Sequence, residues 1–151
     1  MSGPADPLHT AHRRAYGLGL ALCCGTPGLI ATLLLAGVVP PGTEPPEGIH
    51  QQIGYLFTGM VFLTAAWVLW RSGQVLRGFP AVPEAQRPLV LLRECLLYAA
   101  LLDLSSLCGL LYWSQVGSQA GRHAWSFILL TPALFLALVP REARWRKALE
   151  G

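Results

Sequence analysis

Four long apolar runs, with nearly all charge held between and beyond them, constrain this chain more than any other feature of its 151 residues. They cover residues 15–39, 53–70, about 89–113 and about 123–139. A bilayer core about 30 Å thick takes roughly 20 helical residues at ~1.5 Å each. The first and third runs are long enough to cross with tilt, and the second and fourth lie near the short limit. Interfacial aromatics mark the run ends: Trp67 and Trp70, Tyr112 and Trp113, and Trp125. Lipid leaves bare backbone groups unsatisfied, so spans are helices or closed barrels. Barrel strands alternate over short segments, whereas these runs are continuously apolar. The expected fold is all-α, a polytopic membrane protein built as a four-transmembrane-helix bundle. Short connections make it up-down-up-down.

Composition supports that reading. With 53% apolar and 13% charged residues, the chain has too little charge to cover a soluble surface. Its net charge of +3 does not point to nucleic acid, because the basic residues sit at the ends of apolar runs, where headgroups lie. Their placement predicts orientation. Arg13 and Arg14 precede the first run, Arg71, Arg77, Arg87 and Arg93 lie in or near the second connection, and Arg141, Arg144, Arg146 and Lys147 follow the last run. The first connection offers only Glu44 and Glu47, and the third only Arg122. By the positive-inside rule both termini and the middle loop are cytoplasmic. The expected organisation is a cytoplasmic tail over 1–14, a transmembrane domain over 15–139 and a basic cytoplasmic tail over 140–151, in a bacterial inner membrane. The first run is too long for a signal-peptide core and lacks an Ala-x-Ala-like exit, so it is read as a retained helix.

The N-terminal dozen residues look disordered. The connection over 40–52 is rich in Pro and Gly, including Pro40, Pro41, Pro45 and Pro46, and reads as an extended loop. Pro88 suits the first turn of the third helix, and Pro27 is expected to kink the first. Small residues every fourth position permit close helix approach in lipid. Gly17, Ala21 and Gly25 form such a row, with Gly28, Thr32 and Ala36 continuing another. The expectation is a seam within the bundle, with contact between copies as the alternative.

Asp103 is the most informative residue. It lies mid-run, with no Lys, Arg or His at comparable depth. A carboxylate there costs roughly 2.5–3.5 kcal/mol to insert. Ala99, Asp103, Ser106 and Gly109 share one helix face, a small and partly polar stripe expected to meet other helices. Tyr55, Thr58, Thr64 and Thr131 are the expected hydrogen-bond partners. Two readings stand side by side: a buried polar residue that holds helices together, and a proton- or ion-binding site of Asp103, Ser106 and Thr58.

The segment over 86–111 resembles the carboxylate helix of the proteolipid, or rotor-ring, subunits of rotary ATPases. Gln86 and Pro88 end a polar loop, Asp103 follows some fifteen residues on, and then come Leu107, Gly109 and Leu110. That resemblance implies an ion-carrying role for Asp103. The whole chain resembles small four-span bacterial membrane proteins, a likeness that implies no activity.

Other chemistry is sparse. Glu94 reads as an interfacial acid near a helix N-terminus. Cys23, Cys24, Cys95 and Cys108 show no metal spacing, Cys23 and Cys24 point to different faces, and a disulfide framework is not expected. His50 and His123 are both placed near the outer interface, weak candidates for a metal or an edge-bound haem in a redox subunit, although two ligands do not define a site. There is no Ser-His-Asp set, carboxylate pair or phosphate cradle. The expected protein is non-enzymatic and cofactor-free. Its partners are the bilayer and either other membrane proteins or further copies of itself, with no nucleic acid.

Overall fold

A computed structural model describes residues 7–43, 48–117 and 121–150. Six α-helices follow one another: α1 (Pro7–Leu35), α2 (Ile49–Gly78), α3 (Arg87–Leu102), α4 (Leu104–Val116), α5 (Gly121–Leu138) and α6 (Glu142–Glu150). Two short 3-10 turns, Phe79–Ala81 and Glu84–Gln86, join α2 to α3, and Pro88 occupies the first turn of α3. No strand occurs among the described residues. Residues 84–116 make one long apolar helical segment interrupted only at Asp103, so among the described residues four segments are long and apolar enough to cross a membrane.

The helices extend past the apolar runs. Hydropathy marks the lipid-compatible part of a helix, whereas backbone hydrogen bonding continues through polar flanks. Thus α2 begins at Ile49 and ends at Gly78. The expectation of disorder over the first dozen residues fails from Pro7 onward, because α1 is already helical there; residues 1–6 lie outside the described part. The expected loop over 40–52 gives way to helix at Ile49, preceded by Gly48 at φ +91°, and its Pro45 and Pro46 lie outside the described residues. At its other end α1 stops at Leu35, with Gly37 at φ +68° allowing a left-handed exit.

The ends of the bundle are tied differently. At the end holding the termini, α6 folds back beneath the helices. Trp145 is wholly buried, its ring packs edge-on against Phe79 at 4.7 Å, and its indole N–H donates to the Pro140 carbonyl at 3.2 Å. His9 meets Glu142 at 2.7 Å, and Arg146 also pairs with Glu142, at 2.6 Å. Within the basic tail, Glu142–Glu150 is therefore a docked helix. At the opposite end the Gly42 amide donates to the Trp113 carbonyl at 3.2 Å, and the Trp113 indole N–H donates to the Val39 carbonyl at 3.2 Å.

Burial ranks the helices. In the most apolar 18-residue stretch, 56% of positions are buried in the α3–α4 segment but 17% in α2. The α3–α4 segment is therefore the packed centre, and α2 lies on the flank with Tyr55, Leu56, Phe62, Leu63 and Trp70 exposed.

On α1 the buried positions are Ala15, Gly19, Cys23, Pro27, Ile30 and Leu34. The small row at 15, 19, 23 and 27 forms the seam. A Cβ on Gly19 would stand 2.8 Å from the Phe135 ring and 3.3 Å from the Cys95 carbonyl oxygen. Gly17, Ala21 and Gly25 are exposed, and a Cβ on Gly17, Gly25 or Gly28 would meet nothing within 4 Å. The expectation that this row packs inside the bundle is corrected: it lies on another face from the seam.

Candidate functional site

Asp103 sits where the helical assignment breaks between α3 and α4, with φ −62° and ψ −18°. Flanking backbone bonds persist: its amide donates to the Ala99 carbonyl at 2.9 Å, and the Leu107 amide donates to its carbonyl at 3.1 Å. The side chain is buried, and one partner reaches it. Thr26 on α1 donates its hydroxyl to Asp103 Oδ2 at 3.0 Å. Asp103 Oδ1 is buried without a hydrogen bond. No ion pair to Asp103 occurs among the described residues. A half-satisfied carboxyl away from water is costly, so it demands an explanation in structure or function.

Ala99, Asp103, Ser106 and Gly109 are all buried. Gly109 permits a close crossing, because a Cβ there would lie 2.7 Å from the Ala124 carbonyl oxygen and 2.8 Å from Ile128. The hydroxyls of this seam repair backbone. Pro132 lies inside α5 and has no N–H for the Ile128 carbonyl, four residues back. Ser106 lies 3.5 Å from that carbonyl and 2.6 Å from the Thr131 hydroxyl, and its one proton can serve either. Thr131 in turn donates to the Leu102 carbonyl at 3.3 Å, and Ser105 donates to the Phe127 carbonyl at 2.8 Å.

The expected trio of Asp103, Ser106 and Thr58 is therefore not assembled by hydrogen bonds. Ser106 pairs with Thr131, and Thr58 donates to its own helix at the Gly54 carbonyl, 2.8 Å away. Thr64 does the same to Met60 at 2.8 Å, and Tyr55 is exposed. Sequence reasoning missed Thr26. Its only signal is a hydroxyl in the apolar second half of α1, which it shares with Thr32.

Glu94 is also buried. Whatever its depth in a bilayer, it is not solvated; it is 3% exposed and accepts two hydrogen bonds from Arg71 of α2, at 2.8 and 3.3 Å. It lies about two turns into α3, past the first turn where the helix dipole acts. Four residues on, the Tyr98 hydroxyl is buried beside the Glu94 carboxylate, without a well-formed hydrogen bond. Glu94, Tyr98 and Asp103 thus descend one helix, about 6 and 7.5 Å apart along its axis.

At the far end His50 and His123 line one cavity of about 320 Å³, with Gln51, Tyr112 and Phe127 among the other walls. Tyr112 donates its hydroxyl to the His50 carbonyl at 3.1 Å. No group of three or more His, Cys, Asp or Glu suited to a metal occurs among the described residues. All four cysteines are free thiols; Cys23 is buried and its neighbour Cys24 exposed. No protein family, curated protein or solved structure matches the chain.

Proposed function

We propose that this chain is a non-enzymatic, multi-pass membrane protein of the bacterial inner membrane that works as a component of a side-by-side assembly. Both termini face the cytoplasm in this reading, because ten of the eleven Lys and Arg residues lie at that end of the bundle or in its tails. The observation that carries it is the outward row Gly17, Ala21 and Gly25 on α1, with Gly28 beyond. A glycine inside a helix costs roughly 0.5–1 kcal/mol relative to alanine. Facing lipid, that cost returns nothing; facing another helix, it permits close backbone approach. A second copy of the chain is the simplest occupant, since both partners would then present the same row. The test is the mass of the protein in lipid nanodiscs. Oligomers that become monomers in Gly17→Leu/Gly25→Leu support the assignment, and a monomeric wild type ends it. Orientation is checked by reporter cysteines in a background lacking native cysteines: Gly78→Cys should label from the cytoplasmic side only, and Gln51→Cys from the other side only.

A second reading rests on a separate observation, the buried Asp103 oxygen that has no hydrogen bond, on the segment that carries the buried Glu94–Arg71 pair two turns into α3. In it, Asp103 binds a proton that enters from the terminus-bearing end past Glu94 and Tyr98, through intervening water. Proton uptake into proteoliposomes that vanishes in Asp103→Asn supports it. Unchanged flux makes Asp103 a residue that ties α1 to α3.

A further inference from the structure

The cavity at the far end does not stop at its polar walls. It is lined by His50, Gln51, Gly54, Tyr55, Thr58, Tyr112, His123 and Phe127. A second, smaller hollow of about 140 Å³ lies between α2 and α5, walled by Val61, Phe62, Ala65, Leu130 and Leu134. Thr58 and Phe127 wall both spaces, so the two are neighbours. Side by side they make an amphipathic recess, a polar head chamber next to an apolar slot.

The chemistry of the head chamber is specific in two ways. First, no Lys, Arg, Asp or Glu lines it, so it lacks the cations that recognise a phosphate. Second, it carries uncommitted hydrogen-bonding groups from two helices. The imidazoles of His50 and His123 and the amide of Gln51 have no hydrogen bond within the described chain, whereas the Tyr112 and Thr58 hydroxyls are used internally. Tyr112 stands edge-on to both His123 and Phe127, with ring centroids 6.2 Å apart in each case, so aromatic rings form part of the chamber wall. At about 320 Å³ the chamber is at the lower end of small-molecule sites, roughly 300–1,000 Å³.

We infer that this recess binds an isoprenoid quinone, with its ring carbonyls accepting hydrogen bonds from His50, His123 or Gln51 and its tail lying in the slot between α2 and α5. A neutral planar head matches the uncharged aromatic chamber, and a branched apolar tail matches the slot. A phospholipid supplies a suitable tail but brings an anionic head that nothing in the chamber neutralises. The inference does not depend on self-association through α1, which lies on another helix.

The test is calorimetric titration of the whole protein in detergent with ubiquinone-2, which carries two isoprene units, and with tail-less ubiquinone-0. Saturable binding of ubiquinone-2 is expected, weakened about tenfold in His50→Leu and in His123→Leu. Ala65→Phe fills the slot and should weaken ubiquinone-2 while leaving ubiquinone-0 unchanged. Circular dichroism confirms that each variant is folded; both histidines lie outside the buried core, so their replacement spares it. Binding that is indifferent to all three variants is mere partition into the micelle and overturns the site. So does displacement of ubiquinone-2 by stoichiometric phosphatidylglycerol, which would make the recess a phospholipid site.

Discussion

The two faces of α1 carry nearly the same pattern and meet different fates. Ala15, Gly19, Cys23 and Pro27 follow at spacings of four and are buried against α3 and α5. Gly17, Ala21 and Gly25 follow at the same spacing and are exposed. A small-residue row therefore specifies how near a neighbour comes, not which neighbour it is. Inside the chain the neighbour is visible: Phe135 and the backbone of Cys95 close on Gly19, and the Cys23 thiol approaches the Ala99 carbonyl at 3.6 Å. Outside, the same device stands without an intramolecular partner.

Substitutions can break this contrast. The largest effect is expected at Gly109, where an added side chain meets the Ala124 backbone. Gly109→Leu should destabilise the fold by about 3 kcal/mol or more, the upper part of the range for overpacking, measured by unfolding in mixed micelles. Gly19→Leu should cost about 1–3 kcal/mol, because the Phe135 ring has more room to give than a backbone carbonyl. Arg71→Ala strands the buried Glu94 carboxylate. Losing one member of a buried pair costs about 3–5 kcal/mol, but Arg71 is one-third exposed, so about 1–3 kcal/mol is expected here; Arg71→Ala/Glu94→Gln should recover most of it. Gly17→Leu should leave the stability of the monomer within about 0.5 kcal/mol of wild type while abolishing the oligomer. Equal losses at Gly17 and Gly19 would erase the distinction between the faces.

The smallest effect concerns how α6 is held. Arg146 and then His9 hold the Glu142 carboxyl below the ordinary glutamate value of 4.5. A depressed folded value stabilises docking at pH above the unfolded value, and the contribution is lost as pH falls through the folded one. Acidification well below the ordinary glutamate value should therefore loosen α6, seen as a shift in Trp145 fluorescence against a Trp145→Phe control. Glu142→Gln should remove the pH dependence.

Much of the architecture was legible in the sequence, because twenty-residue apolar runs have few solutions. The helix ends were not, since polar flanks such as residues 71–78 carry no hydropathy signal yet remain helical. Asp103 announced itself by chemistry alone. Its partner did not, because Thr26 lies 77 residues away and nothing local distinguishes it from Thr58 or Thr131. The burial and pairing of Glu94 were hidden for the same reason: its partner Arg71 is 23 residues distant and across a turn. The inward row on α1 was passed over because Cys23 and Pro27 look less like packing residues than Gly17 and Gly25 do, although burial depends on where α3 and α5 stand.

The chain supplies its own probe for the outward face. Cys24 is exposed, one turn beyond Ala21, while Cys23, Cys95 and Cys108 are buried. The decisive measurement is oxidative cross-linking of the wild-type protein in lipid. Assembly through this face predicts a covalent dimer that disappears in Cys24→Ala and falls sharply in Gly17→Leu/Gly25→Leu. No dimer from a protein diluted in lipid, or a dimer unaffected by those glycine replacements, would contradict it.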